Sequence, residues 1–217
     1  MNLLSVHVDL LINEQEQYPV PKVYWIRLTE HYQISHHIGL THGGAVYGFV
    51  FNETQPSQYR LPSDFEECFY IGKSGKSGKG GSYFDYKNGP NKNPKKVSFL
   101  NKRMIHHRDR FAGTATVCES EKKKYSLYEE KYGVGLDVMN GTYTDKPLWV
   151  GFIPAPIDIP DHLHEGWLLK CEQDEIYRYT KTFGYTPLMN LDQSGSNKKR
   201  NSFSTQYSPV ELDQFMS

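Results

Sequence analysis

Three short runs restrict the fold of this chain more than any other feature: AVYGFVF at 45–51, ECFYIG at 67–72 and LWVGFI at 148–153. Each is dense in β-branched and aromatic residues, and each has the length of one strand bounded by turn or proline signals. Between the second and third, KKVSFLNKRMIHHRDRF at 95–111 reads as a helix, because Val97, Leu100, Met104 and Phe111 recur at helical spacing. A second helix is expected over 165–182. The order strand, strand, helix, strand, helix predicts an α+β fold, an α/β layer around one core, and 217 residues suit one such domain with extensions.

The flanks divide the chain further. Residues 1–40 read as an N-terminal extension with strands at 5–12 and 22–28, residues 41–190 as the main domain, and 191–217 as a polar Ser-, Asn-, Gly- and Lys-rich tail. Within the main domain, 74–94 is a lysine-rich insertion closed by the turn sequence NGPNKNP. The segment 115–146 is polar, with a short helix expected over 125–132. On an ideal wheel, Lys96, Arg103, His107 and Arg110 form a strip along the shoulder of the first helix.

In the second helix, Leu168, Cys171, Ile176, Tyr179 and Phe183 form the inward face, and Glu172 falls among them. A carboxylate there must be paired, protonated or metal-bound, because an isolated buried charge is costly. Glu175 lies close to the same face, and Glu129 and Glu130 on the short polar helix are weaker alternatives.

Lys plus Arg and Asp plus Glu are balanced at 25 each, but the balance hides a polarity. From Lys73 to Arg110 there are eleven basic residues against Asp85 and Asp109, a local charge of +9 that leaves −9 for the rest. Such a block is the footprint expected of phosphate-backbone binding, with Lys76, Lys79, Lys87, Lys96 and Arg110 as candidate contacts. The three cysteines are far apart and lack metal-ligand spacing, which argues for a reducing cytoplasm rather than a disulfide framework. The N-terminus reads as neither a signal peptide nor a membrane span.

The glycine, serine and lysine loop after Tyr70-Ile71-Gly72 invites comparison with a nucleotide-binding loop. Such a loop needs glycine five residues before Gly-Lys-Ser. The two Gly-Lys-Ser triplets, at Gly72 and Gly75, have Glu67 and Tyr70 there, so the signature fails twice.

Val46-Tyr47-Gly48 and Tyr70-Ile71-Gly72 instead resemble the paired motifs of the GIY-YIG nuclease family. Lys73 follows the second motif, Arg103 and His107 stand one helical turn apart on the next helix, and Glu172 and Asn190 complete the order. The resemblance covers about residues 45–190 and implies a small three-stranded antiparallel sheet flanked by helices.

The resemblance further implies an endonuclease that hydrolyses DNA phosphodiesters. Glu172 would hold Mg²⁺, with Mn²⁺ as a substitute, and Tyr47 or Tyr70 would be the general base. Arg103 would stabilise the transition state, Lys73 would add positive charge, His107 would assist proton transfer or orient a tyrosine, and Asn190 would organise the site. Double-stranded DNA, cut at specific sites, is the expected partner, on which a palindromic target would favour a homodimer. The contrasting expectations are a non-catalytic nucleic-acid-binding module using the basic 73–110 segment and a structural interaction protein. The former would use the tyrosines as stacking surfaces.

Overall fold

The structure, a computed structural model, describes residues 22–37, 40, 44–75, 84–85, 89–90, 99–142, 145–156 and 158–190. Six strands are described: β1 (Tyr24–Arg27), β2 (Ala45–Phe51), β3 (Cys68–Ser74), β4 (Phe84–Asp85), β5 (Gly89–Pro90) and β6 (Leu148–Pro154). The α-helices among the described residues with more than one turn are α1 (Phe99–Phe111), α2 (Glu119–Tyr132), α3 (Leu136–Asn140) and α4 (Asp161–Phe183). The main sheet has four strands in the order β1-β6-β2-β3, all antiparallel, and β4 and β5 form a separate two-stranded ribbon.

The fold is thus α+β, but the expected three-stranded sheet is corrected to four strands. The fourth is β1, which falls within the strand expected at 22–28 and pairs along its length with β6. Its Ile26 joins the core on the α1 and α2 side of the sheet and Trp25 the core on the α4 side, so the segment closes both layers. The strand expected at 5–12, the insertion lysines Lys76, Lys79 and Lys87, Lys96 and the tail 191–217 lie outside the described residues.

Alternation along β2 builds the two cores. Tyr47, Phe49 and Phe51 pack with Leu100, Met104, Phe111, Tyr125 and Tyr128, whereas Val46 and Val50 pack with Leu163, Leu168 and Cys171 of α4. All seven β2 residues are buried, as a central strand covered on both faces requires. The β2–β3 register then slips: Phe49 faces Tyr70, but Val50 faces Cys68. The extra residue, Phe69, makes a β-bulge that sends both Phe69 and Tyr70 to the α1 side of the sheet.

The glycines of the two tyrosine motifs serve different neighbours. A β-carbon at Gly48 would lie 2.4 Å from Pro62 Cβ, so its absence lets the 3-10 turn Pro62–Asp64 close on the sheet. A β-carbon at Gly72 would lie 2.7 Å from the Tyr70 hydroxyl, so its absence leaves room for the Tyr70 ring beside Tyr47. The far edge of β3 is covered by residues 189–190. Met189 N–H donates to Phe69 C=O at 2.8 Å, and Asn190 accepts from Ile71 N–H at 2.9 Å and donates to Ile71 C=O at 2.7 Å.

Two helices differ from the sequence expectation. Helix α2 is 14 residues long, extending the short helix expected over 125–132 at its N-terminal end, and its Tyr125 and Tyr128 reach the core. In α4 the buried line runs through Leu168, Cys171, Glu175 and Tyr179, so the inward carboxylate is Glu175; Glu172 is half-buried. Among the described residues, no helix is long and apolar enough to cross a membrane.

Candidate active site

The site is built where β2, β3, α1 and α2 meet. Tyr47 and Tyr70 occupy neighbouring strands on the same face, their ring centroids 6.0 Å apart. Arg103 and His107, one turn apart on α1, point at the same phenols. Arg103 Nε lies 3.4 Å from the Tyr47 hydroxyl and His107 Nε2 lies 2.9 Å from it. The Tyr70 ring lies beside that of Tyr47, within reach of the Arg103 charge. Lys124 of α2 places its ammonium 5.5 Å from the centre of the Tyr70 ring, within cation–π range.

Burial sets the charge states. It pushes the Tyr47 phenol well above its ordinary value, against the pull of Arg103. Tyr70 is also raised by burial, and the Arg103 charge opposes that shift more than any other group does. Arg103 itself is held firmly protonated by Tyr47 beside it. His107, 3% exposed, is pushed well below the usual imidazole range by burial and then by Arg103, Arg110 and Lys124, so it is neutral. It was expected on the shoulder of α1; instead it lies inside the aromatic cluster.

The two carboxylates of α4 play different parts. Glu175, 4% exposed, accepts a 2.7 Å hydrogen bond from Ser63 and faces Arg178 at 3.7 Å. Burial raises its pKa, and Ser63 and Arg178 oppose that shift. Its environment is therefore accounted for within the fold. Glu172 is only half-buried, and its charge acts on Tyr70, raising the phenol's value. Glu129 and Glu130 are exposed on α2.

Other expected residues are placed apart from the phenols. Lys73 sits opposite Val46, on the α4 face of β3, and forms an ion pair with Glu165. Arg110 pairs with Glu121 and lies over Tyr125, so its charge is engaged inside the protein. Asn190 does not touch the phenols; it grips both backbone groups of Ile71, the residue after Tyr70. Tyr125 was not anticipated as a site residue, yet its hydroxyl lies 2.8 Å from His107 Nδ1. The only signal in the sequence was the spacing of Tyr125, Tyr128 and Tyr132 on one helical face.

Among the described residues no group of three or more His, Cys, Asp or Glu side chains converges on one point. A caged metal centre therefore has no donor set there. A magnesium ion needs no such cage: one or two carboxylates with water and phosphate oxygens suffice, and Glu172 has the half-exposed position for that mode.

Comparison with protein-family models, with curated proteins and with solved structures gives no match. The residues themselves provide a phenol, Tyr47, hydrogen-bonded to a half-buried guanidinium and a neutral imidazole, with a second phenol, Tyr70, beside it and a carboxylate within electrostatic reach.

Proposed function

We propose that the chain is a metal-dependent endodeoxyribonuclease of the GIY-YIG kind, hydrolysing phosphodiesters of duplex DNA at specific sites. The observation that carries this reading is the convergence of Tyr47 and Tyr70, from adjacent strands, on Arg103, with the Glu172 charge bearing on Tyr70. An ordinary aromatic core has no use for a guanidinium between two phenols.

In this reading Tyr70 accepts the proton of the attacking water. It is the more exposed phenol, at 6% against 0% for Tyr47, and it is the one the Glu172 charge acts on. Arg103 stabilises the phenolate and donates to the phosphate oxygens on which negative charge accumulates in the transition state. Lys124, above the Tyr70 ring, adds positive charge on the same side. His107, being neutral, holds Tyr47 rather than supplying a proton. Asn190 fixes the backbone of β3 next to Tyr70. Lys73, already paired with Glu165, has no direct part.

Glu172 would hold Mg²⁺, with Mn²⁺ as a substitute; when bound, the metal polarises a phosphate oxygen and shields the leaving group. The basic 73–110 block would position the DNA backbone, and a homodimer would suit a palindromic target. Such an enzyme would act in the cytoplasm, on nucleoid or phage DNA.

The test is incubation of supercoiled and linear duplex DNA with the protein in Mg²⁺ or EDTA, beside a Glu172→Ala control. Discrete fragments that need Mg²⁺ and vanish in the variant support the reading. No cleavage on varied DNA, with binding that persists in EDTA, would replace it with a non-catalytic nucleic-acid-binding module.

A further inference from the structure

Beyond the four groups just discussed, the polar chain continues to α2. Its members run from Arg110 to Tyr125, His107, Tyr47 and Tyr70, and the direction of each hydrogen bond follows from what each group is able to donate. Arg110 can only donate, and its Nη1 lies 3.4 Å from the Tyr125 hydroxyl. The Tyr125 hydrogen then has one acceptor among these neighbours, His107 Nδ1 at 2.8 Å. Accepting there leaves a neutral imidazole with its single proton on Nε2, which donates to the Tyr47 oxygen at 2.9 Å. Arg103 also only donates to that oxygen, at 3.4 Å. The Tyr47 oxygen thus accepts from both, and its own hydrogen is left for the neighbouring phenol, Tyr70, whose ring centroid lies 6.0 Å away.

Resting on the nuclease reading above, we infer that Tyr125 is a positioning residue for the catalytic phenol: it fixes His107 as the Nε2–H tautomer and so turns the Tyr47 hydroxyl towards Tyr70. Every donor in the chain points the same way, from Arg110 through Tyr125 and His107 to Tyr47, the phenol beside Tyr70. Hydrogen bonds aligned in one sense polarise one another, so the far end strengthens the bond that stabilises the phenolate. Reversal would leave the Tyr125 hydrogen without an acceptor in the chain and would point the Tyr47 hydrogen away from Tyr70. Glu121 anchors the far end by pairing with Arg110. The charged and titratable groups around His107 are Arg103, His106 and Arg110 on its own helix, Lys124 and Tyr125 on α2, Tyr47 on β2 and Tyr70 on β3.

The deciding measurement is the tautomer of His107 in the full chain. It is read at neutral pH from long-range ¹H–¹⁵N correlations, with the His107 signals assigned by their loss in His107→Asn. The inference requires the Nε2–H form in the wild type and its erosion in Tyr125→Phe; an Nδ1–H form in the wild type overturns it. In cleavage assays Tyr125→Phe should lower the single-turnover rate roughly tenfold or more, with DNA affinity retained and the melting temperature lowered, because the buried His107 Nδ1 loses its donor. A wild-type rate in that variant also overturns the inference. Absence of cleavage by the wild-type protein would remove the nuclease reading alone, while the tautomer would still decide whether Tyr125 directs the chain.

Discussion

Tyr47 and His107, 60 residues apart in sequence, are joined by a 2.9 Å hydrogen bond inside the aromatic core. The imidazole is neutral there, because burial and three cations oppose a further positive charge. Its native pKa is thus lower than in the unfolded chain, which below about pH 6.5 takes up a proton that the folded chain refuses. Stability from this group is therefore full above about pH 6.5 and falls as the pH drops, by up to about 1.4 kcal/mol per unit. His31, lowered mainly by burial and accepting from Arg108 at 2.9 Å, adds to the same slope. Urea unfolding between about pH 7.5 and about pH 5 should show the loss. His107→Gln should be less stable at neutral pH yet flatter with acid, and an unchanged slope would count against the neutral buried imidazole.

The cleavage rate should depend on pH in the opposite range. Tyr70 must lose a proton to act, and its phenol is raised by burial, so the active fraction grows as the pH rises through neutrality and beyond. Tyr70→Phe should cost roughly 10²–10⁴ in rate with DNA binding intact. Tyr47→Phe should cost less, because Tyr47 acts through Tyr70. Single-turnover rates of the two variants decide between them: the reverse order would make Tyr47 the base.

The two α4 carboxylates should separate cleanly. Glu172→Ala removes the proposed metal ligand and should lower cleavage by about a thousandfold or more. Glu175→Gln keeps an acceptor for Ser63 and removes a buried charge, so cleavage and the unfolding midpoint should both be retained. Glu175→Ala should instead lower the midpoint, by about 1–3 kcal/mol of stability, because the Ser63 hydroxyl loses its acceptor. Loss of cleavage in Glu175→Gln, with Glu172→Ala active, would transfer the metal role to Glu175.

These residues also show what the sequence was able to convey. Strands β2, β3 and β6 were legible because each is an uninterrupted apolar run, and β1 was legible as a strand. Its membership of the same sheet was not, since β6, its partner, lies far along the chain and pairing leaves no local mark. The phenols, Arg103 and His107 were legible as an ordered set, although burial of His107 was not, because His106 beside it is exposed. The roles of Glu172 and Glu175 depended on a rotation of α4 by less than one turn, finer than an apolar pattern defines. Tyr125 and Lys124 were hidden by the polar composition of α2, whose buried face rests on tyrosines rather than aliphatic residues.

The edge of β3 offers an independent check on positioning. Asn190 replaces a neighbouring strand by satisfying both backbone groups of Ile71. Asn190→Ala should cost about 1–3 kcal/mol of stability and slow cleavage by loosening the backbone beside Tyr70. Asn190→Asp keeps the acceptor but not the donor and should fall between the two. Hydrogen exchange at the Ile71 amide reads the edge directly, and unchanged protection in Asn190→Ala would remove the residue from this role.

The charge block bears on binding rather than on chemistry. Arg110 and Lys73 are already paired with Glu121 and Glu165, so phosphate contacts must come chiefly from the remaining basic residues of the 73–110 segment. Replacing Lys76, Lys79 and Lys87 together by Ala should reduce the slope of log K against log salt by roughly two to three, since each phosphate neutralised contributes about 0.9. The loss should be nearly uniform across DNA sequences, because lysines that meet phosphates position the duplex without reading it. Arg110→Ala should leave the slope intact while lowering stability through Glu121 and Tyr125. Titrations of the two variants over a salt series separate these outcomes, and an unchanged slope in the triple variant would place the DNA grip elsewhere.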